Sequence, residues 1–401
     1  MLKNKTAFKA FCHAIIGRRC KNTCIIFFCM FLSACQTELI PPDTFIKTVV
    51  TNDFLSEGVA VADLNNDGLK DIVAGYYWFE APNWTKHEIS PSRAYDPQLE
   101  FSKSFLKYTI DVNLDGWDDV VNIDHPGTPA YWFENPKNGT GHWLKHSIGD
   151  NMLIGNESPN FVDVDADGRI DLLCGDVSSN QVIWLQAPTI PGQTTWTRHA
   201  LTTENVFGTD SFAHGLGYGD INGDGIKDVV IKEGWFEGKA DKSSGDWRFH
   251  LVNLGDDCSQ MQVLDVNKDG RNDVITASAH NLGVWWFEQQ EDGNFRKHLM
   301  SETTSQTHAT VMADLNGDDK KDFITGKRYL AHNGKDPGDT DAAILMWFDF
   351  SYNTAPYYKE HLIDIDSGAG LNIAVADMNN DLKMDIIISN KNGVFLLEND
   401  M

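Results

Sequence analysis

One nine-residue pattern occurs seven times in this chain and restricts it to a ring or a stack of similar units. The first copy is Asp63-Leu64-Asn65-Asn66-Asp67-Gly68-Leu69-Lys70-Asp71, and later copies open at Asp111, Asp163, Asp220, Asp265, Asp314 and Asp377. The shortest interval is 45 residues, from Asp220 to Asp265, and the longest is 63, from Asp314 to Asp377. Periods of this size belong to solenoids and propellers. Oxygen-bearing side chains fill the first, third, fifth and ninth positions, and the sixth is usually glycine, which supplies the positive φ of a tight turn. Alternate side chains of such a loop converge on one point, and hard cations such as Ca²⁺ take six to eight oxygens. Each copy lies between two apolar, β-rich runs, so it is a hairpin turn. A helix-flanked calcium hand would also need a glutamate at its twelfth position.

The 401 residues exceed what one hydrophobic core supports, roughly 250–300. Seven small cores resolve that. The formal charge is −25, and 22 of the 58 acidic residues occupy the first, third, fifth or ninth positions of the seven loops. Clustered carboxylates repel one another unless cations hold them. The same balance excludes nucleic acid as a partner, because phosphate recognition needs clustered Lys and Arg.

Each repeat continues in the same way. A Trp-Phe-Glu-like strand follows the loop, as in Tyr77-Trp78-Phe79-Glu80 and Trp285-Trp286-Phe287-Glu288. A fourth strand carries an aromatic-x-x-His-apolar pattern around His87, His146, His199, His250, His298 and His361. Four short antiparallel strands per repeat make a propeller blade. The last repeat stops after three strands, and Phe45-Ile46-Lys47-Thr48-Val49-Val50 reads as a fourth strand with no repeat before it. The expectation is all-β: a seven-bladed β-propeller over 45–401, closed by an N-terminal strand that completes the last blade and removes open sheet edges. Cys174 and Cys258, in non-adjacent repeats, read as free buried thiols.

The repeats resemble FG-GAP/VCBS-type repeats of calcium-loop propellers. His214-Gly215, Ser259-Gln260-Met261, Thr307-His308-Ala309 and Gly326-Lys327-Arg328-Tyr329 are similar to a subgroup that includes the propeller module of aldos-2-ulose dehydratase. Spacing and resemblance together assign Ca²⁺ ligands to Asp63, Asn65, Asp67 and Asp71; to Asp111, Asn113, Asp115 and Asp119; and to Asp163, Asp165, Asp167 and Asp171. They continue with Asp220, Asn222, Asp224 and Asp228; with Asp265, Asn267, Asp269 and Asp273; and with Asp314, Asn316, Asp318 and Asp322. The sixth loop has Asp319 at the glycine position, which aspartate tolerates. The seventh has Leu382 there, which suits that geometry badly and leaves its occupancy open. The expected role of these ions is structural.

Residues 1–34 read as a signal segment, with six basic residues, no acid and an apolar run too short to span a bilayer. Leu32-Ser33-Ala34-Cys35 resembles a lipobox, which implies lipidation of Cys35. With Gln36 next, the expectation is an outer-membrane lipoprotein, tethered through 35–44 and held to the membrane by its lipid alone.

Strand parity then sorts the chemistry. In antiparallel blades the seven Asp loops decorate one face. The segments leading into each first strand, and the loops after each second strand, lie at the other. The six in-register histidines are structural. His125, His214, His280, His308 and His332 are out of register, and all map to the face opposite the Asp loops, with Glu57, Glu157, Lys232, Glu233, Arg328, Tyr329 and Lys391. Such a mixture suits a transition metal, Zn²⁺ or Mn²⁺, or acid–base chemistry. One expectation is a sugar lyase or dehydratase. His214 and His308 would hold the metal with Glu57 or Glu157, His280 or Tyr329 would take the α-proton, and Arg328 and Lys232 would stabilise the developing charge. The other is a non-catalytic propeller that binds a glycan or a partner protein.

Overall fold

The computed structural model describes residues 44–149, 151–202, 207–352, 355 and 357–401. The described residues all belong to one compact unit. The expected signal segment, the expected lipidation at Cys35 and the start of the expected tether lie outside the described residues.

Twenty-eight strands form seven four-stranded antiparallel sheets, with no helix among the described residues. In blade 1 the order is Val59–Ala62, Asp71–Ala74, Tyr77–Glu80 and Thr85–Glu88, each pairing with the next. Blades 2 to 6 repeat this arrangement along the chain. Blade 7 takes three strands from 374–399, and Phe45–Thr51 is its outermost strand, with Phe45 opposite Asn399. Among the described residues there are seven hydrophobic cores, and each lies between two neighbouring blades. One joins Ile72 and Phe79 of blade 1 to Ile387 and Leu396 of blade 7, so the first and last repeats pack together as any other pair does. Cys174 and Cys258 are buried free thiols.

The loops are held from inside the sheet. The ninth-position aspartate is buried and accepts two backbone N–H bonds. Asp71 takes Leu64 N at 2.9 Å and Ala81 N at 2.9 Å. Asp119 takes Val112 and Asn135, and Asp385 takes Met378 and Asn399. Each clamp ties the turn to the residue at or just after the end of the third strand. Asp63 accepts the amides of Asp67 and Gly68, closing the turn itself. Leu382 adopts φ 70° and Asp319 φ 65°, so both keep the turn without glycine. Leu382 is 90 % exposed, and its amide still reaches Asp377.

The in-register histidines are structural, as the repeat implies. Each ring stacks on the tryptophan of the strand beside it, as His87 does on Trp78 at 4.2 Å and His250 on Trp235 at 4.0 Å. Nε2 of His87 meets Glu80 at 2.7 Å, and the other oxygen of Glu80 accepts from Asn65 at 3.3 Å. The same loop-to-glutamate contact joins Asn113 to Glu134 and Asn267 to Glu288. Blade 3 reverses the polarity. Its third loop position is Asp165, which can only accept, and Gln186 stands where the others have a carboxylate, donating to it at 2.6 Å. Gln186→Glu is therefore expected to set two carboxylates face to face and lower stability by about 1–3 kcal/mol. Adding Asp165→Asn should recover most of the loss, read as the coupling energy of a double-mutant cycle in chemical denaturation.

Candidate functional site

The face opposite the Asp loops holds a cavity of about 410 Å³ whose lining includes His125, Glu157, His214, His280, Arg328 and His332. Glu157, His214 and His308 come from segments leading into the first strands of blades 3, 4 and 6. His125 and His280 come from the second loops of blades 2 and 5. Arg328 and His332 lie on the 18-residue stretch between Asp322–Gly326 and Leu345–Phe350. Loops of that length inside compact domains usually serve function. His308 joins the group, with its ring 5.6 Å from His214 and 5.8 Å from His280. Four of the five out-of-register imidazoles thus touch one another, and His125 faces the same cavity between Phe105 and Phe212.

Two of these imidazoles share an unusual state. His308 turns Nδ1 to the carbonyl of Gln306 at 3.0 Å, so Nδ1 is the donor and Nε2 carries the lone pair. His214 bonds the Phe212 backbone. The Nε2 atoms of both rings are buried with no hydrogen-bond partner, and each lies 3.8 Å from the same atom, Oε2 of Glu157. That is too long for a hydrogen bond. It is close to the spacing of two ligands on one ion, since donors bound to zinc at ~2.0–2.1 Å stand roughly 3.3–3.6 Å apart. The backbone carbonyls fix the tautomers, as partners of metal-binding histidines do. Burial pushes both pKa values down. At His308 the Arg328 charge adds to it and the value falls well below the ordinary one, while at His214 the Glu157 carboxylate opposes it. Both rings are held neutral, the form that binds metal.

The sequence-predicted residues separate here. His214, His308 and Glu157 form the cluster. Glu57 is displaced from it, because its Oε2 accepts from Arg328 Nε at 3.1 Å. Arg328 is also bound to Glu157, through Nη1 at 3.1 Å, and is 1 % exposed, so it holds two carboxylates at once. Lys232 stands behind the wall, paired with Asp257. Tyr329 is half-buried and does not line the cavity. His280 turns Nδ1 to Asp336 at 3.2 Å and points Nε2 toward Asp257 at 3.8 Å. Neighbours in sequence diverge because alternate residues of a strand end point to opposite sides.

Asp257, Asp336, Phe101, Phe105 and Phe212 also belong to the site and were not read from the sequence. Asp257 precedes a first strand, as His214 does, and Asp336 follows His332 by four residues in the overlong loop; both positions were available to the same parity argument. The phenylalanines carried no signal, since buried aromatics are common in every blade. Burial pushes the Asp257 carboxyl up, but the Lys232 ammonium outweighs it and leaves the value below the usual range.

A family model described as an FG-GAP-like repeat matches residues 111–174, 163–231 and 265–325. Residues 111–231 and 265–325 thus carry FG-GAP-like repeats. No curated protein matches the chain. Among solved structures this propeller is similar to a lectin of Agrocybe aegerita described as recognising non-reducing terminal N-acetylglucosamine. The identity is 16%, covering 76% of this chain and 79% of that one, with a TM-score of 0.47. It is also similar to BBS1N in complex with ARL6DN, at 10% identity, covering 89% of this chain and 97% of that one, with a TM-score of 0.54. The second likeness supports the fold alone.

The depressed pKa of His308 has a direction in pH. Below about 6.5 the unfolded imidazole takes a proton that the folded one refuses, so stability present above that value is lost as pH falls through it. His308→Asn should flatten the decline in unfolding free energy between about pH 6.5 and 5, measured by denaturant titration across that range.

Proposed function

We propose that this propeller is a metal-dependent carbon–oxygen lyase acting on a carbohydrate, exported and anchored at the outer membrane through Cys35. The observation that carries the reading is the pair of buried, partnerless Nε2 atoms of His214 and His308, each 3.8 Å from one Glu157 oxygen. Two imidazoles and a carboxylate with matched donors fit Zn²⁺ or Mn²⁺, and Glu157, His214 and His308 are the residues that would hold it. When bound, such an ion polarises a carbonyl or carboxylate oxygen and so acidifies the adjacent C–H.

The chain's own groups supply the rest. The cavity falls within the range of small-ligand pockets, roughly 300–1,000 Å³. Phe101, Phe105 and Phe212 offer apolar faces to the C–H side of a sugar ring and limit water. His125 is the proton acceptor. Its Nδ1 faces the Pro126 carbonyl at 3.3 Å, which leaves the lone pair on Nε2. The α-proton passes to that nitrogen, the C–H electrons form the new double bond, and the β C–O bond breaks with its electrons going to the leaving oxygen. That oxygen is protonated in turn, by water or by the imidazolium. Arg328 keeps Glu157 in place. This assigns the base to His125 in place of His280 or Tyr329.

The first six turns fit Ca²⁺ as a structural ion. In blade 3, carboxylate oxygens of Asp163, Asp165 and Asp171 lie within 4.8 Å of one another, and Oδ1 of Asp163 is buried with no partner. Burial pushes Asp71 and Asp228 up to about 6 and Asp119, Asp171, Asp273 and Asp322 up to about 7. A nearby divalent charge favours the ionised form of each.

Elemental analysis should find zinc or manganese besides calcium in the purified protein. The His214→Ala/His308→Ala double variant should lose the former and keep the latter. His125→Gln should retain metal while elimination slows by about 10²–10⁴, followed as the ultraviolet absorbance of an unsaturated product from keto-sugars or uronate polysaccharides. If no transition metal and no such product is found, the enzyme reading fails and a propeller that binds a glycan or a protein stands. Separately, chelation should lower the melting temperature and added calcium restore it.

A further inference from the structure

The Glu157, His214 and His308 set uses only part of the cavity. Across from it, His280 and His332 stack with ring centroids 4.6 Å apart and planes 21° from parallel. Both turn Nδ1 to a single atom, Oδ2 of Asp336, His280 at 3.2 Å. The two rings come from the second loops of different blades, so their meeting on one carboxylate oxygen is a product of the tertiary fold. The result is a second two-histidine, one-carboxylate set, with ligand atoms within 4.8 Å of one another. That donor set binds divalent first-row metals and leaves positions open.

The two sets adjoin. His308 and His332 have ring centroids 5.6 Å apart, and His214 and His280 4.7 Å. Asp257 stands between them. Its Oδ2 lies 3.8 Å from His280 Nε2, and with His214 and His280 it forms a third group within the same 4.8 Å limit. Lys232 holds the other oxygen of Asp257, which fixes the carboxylate in that position. His280 therefore shows one nitrogen to each side: Nδ1 to Asp336 and Nε2 to Asp257.

We infer that the cavity takes two divalent transition-metal ions, the first at Glu157, His214 and His308 and the second at His280, His332 and Asp336, with Asp257 on the Nε2 side of His280. The inference rests on the metal reading of the first set and extends it. Paired ions in other hydrolytic and transfer sites clamp an incoming and a leaving oxygen together. A sugar carbonyl and its β-oxygen present such a pair.

The test is a Co²⁺ titration of chelator-stripped, calcium-resaturated protein, read as bound cobalt per chain by equilibrium dialysis. Two equivalents are expected in the unaltered chain. Asp336→Asn, which preserves size, and His332→Ala should each leave one, and the His214→Ala/His308→Ala double variant should also leave one. A single equivalent in the unaltered chain, or an undiminished count in both Asp336→Asn and His332→Ala, overturns the second site and leaves the first standing. No bound cobalt at all overturns both.

Discussion

The structure depends on a buried carboxylate that has no freedom to move. At the ninth position of each turn, an aspartate sits inside the sheet and accepts backbone amides, in blade 1 from Leu64 and Ala81. A carboxylate taken out of water must find donors, and leaving it without them is costly. Here the donors are the second residue of its own turn and the first residue past the third strand. One side chain thereby locks the turn, two strands and the exit of a third into a single geometry. Seven repetitions give seven near-identical blades, and blades this thin can bury apolar surface only against one another. Every core accordingly spans two blades, as where Leu173 and Trp184 of blade 3 meet Leu216 and Phe236 of blade 4.

That constraint also divides the histidines into two physical classes. His87 stacks on Trp78 and shares a proton with Glu80, so one face of the ring and its Nε2 are spent on the scaffold. His308 is anchored by Nδ1 to a backbone carbonyl and keeps Nε2 free inside the protein. An unpartnered buried nitrogen is costly to stability and is retained where it has work to do. The surrounding charges reinforce this. Arg328, 1 % exposed, compensates Glu57 and Glu157 while discouraging a proton on His308. The proposed mechanism draws on groups that the scaffold leaves uncommitted, of which His125 is the one set apart from the other imidazoles.

Much of this was legible without coordinates. The turn pattern is local chemistry, fixed by which residues tolerate positive φ and which side chains accept hydrogen bonds, so the seven hairpins and their common face followed from spacing. Even Leu382, a poor residue for its turn, kept the fold, because neighbouring donors and acceptors over-determine that conformation. Strand parity likewise placed five out-of-register histidines at the opposite end. It could not distinguish Glu57 from Glu157, or remove Tyr329 and Lys232, because parity says which end of a blade a residue occupies and nothing of its distance from the axis.

The sequence by itself therefore determined the repeat, the all-β blade, the number of blades and the face on which irregular chemistry would gather. Each of these rests on interactions between residues close along the chain or on simple alternation. Only the tertiary structure decided which side chains meet. Glu157 joins His214 and His308, and Asp336 joins His280 and His332, because closing the ring brings segments from separate blades to one mouth. Contacts of that kind depend on the rotation of each blade about the axis, which is set by the packing between blades and is written in no short stretch of the chain.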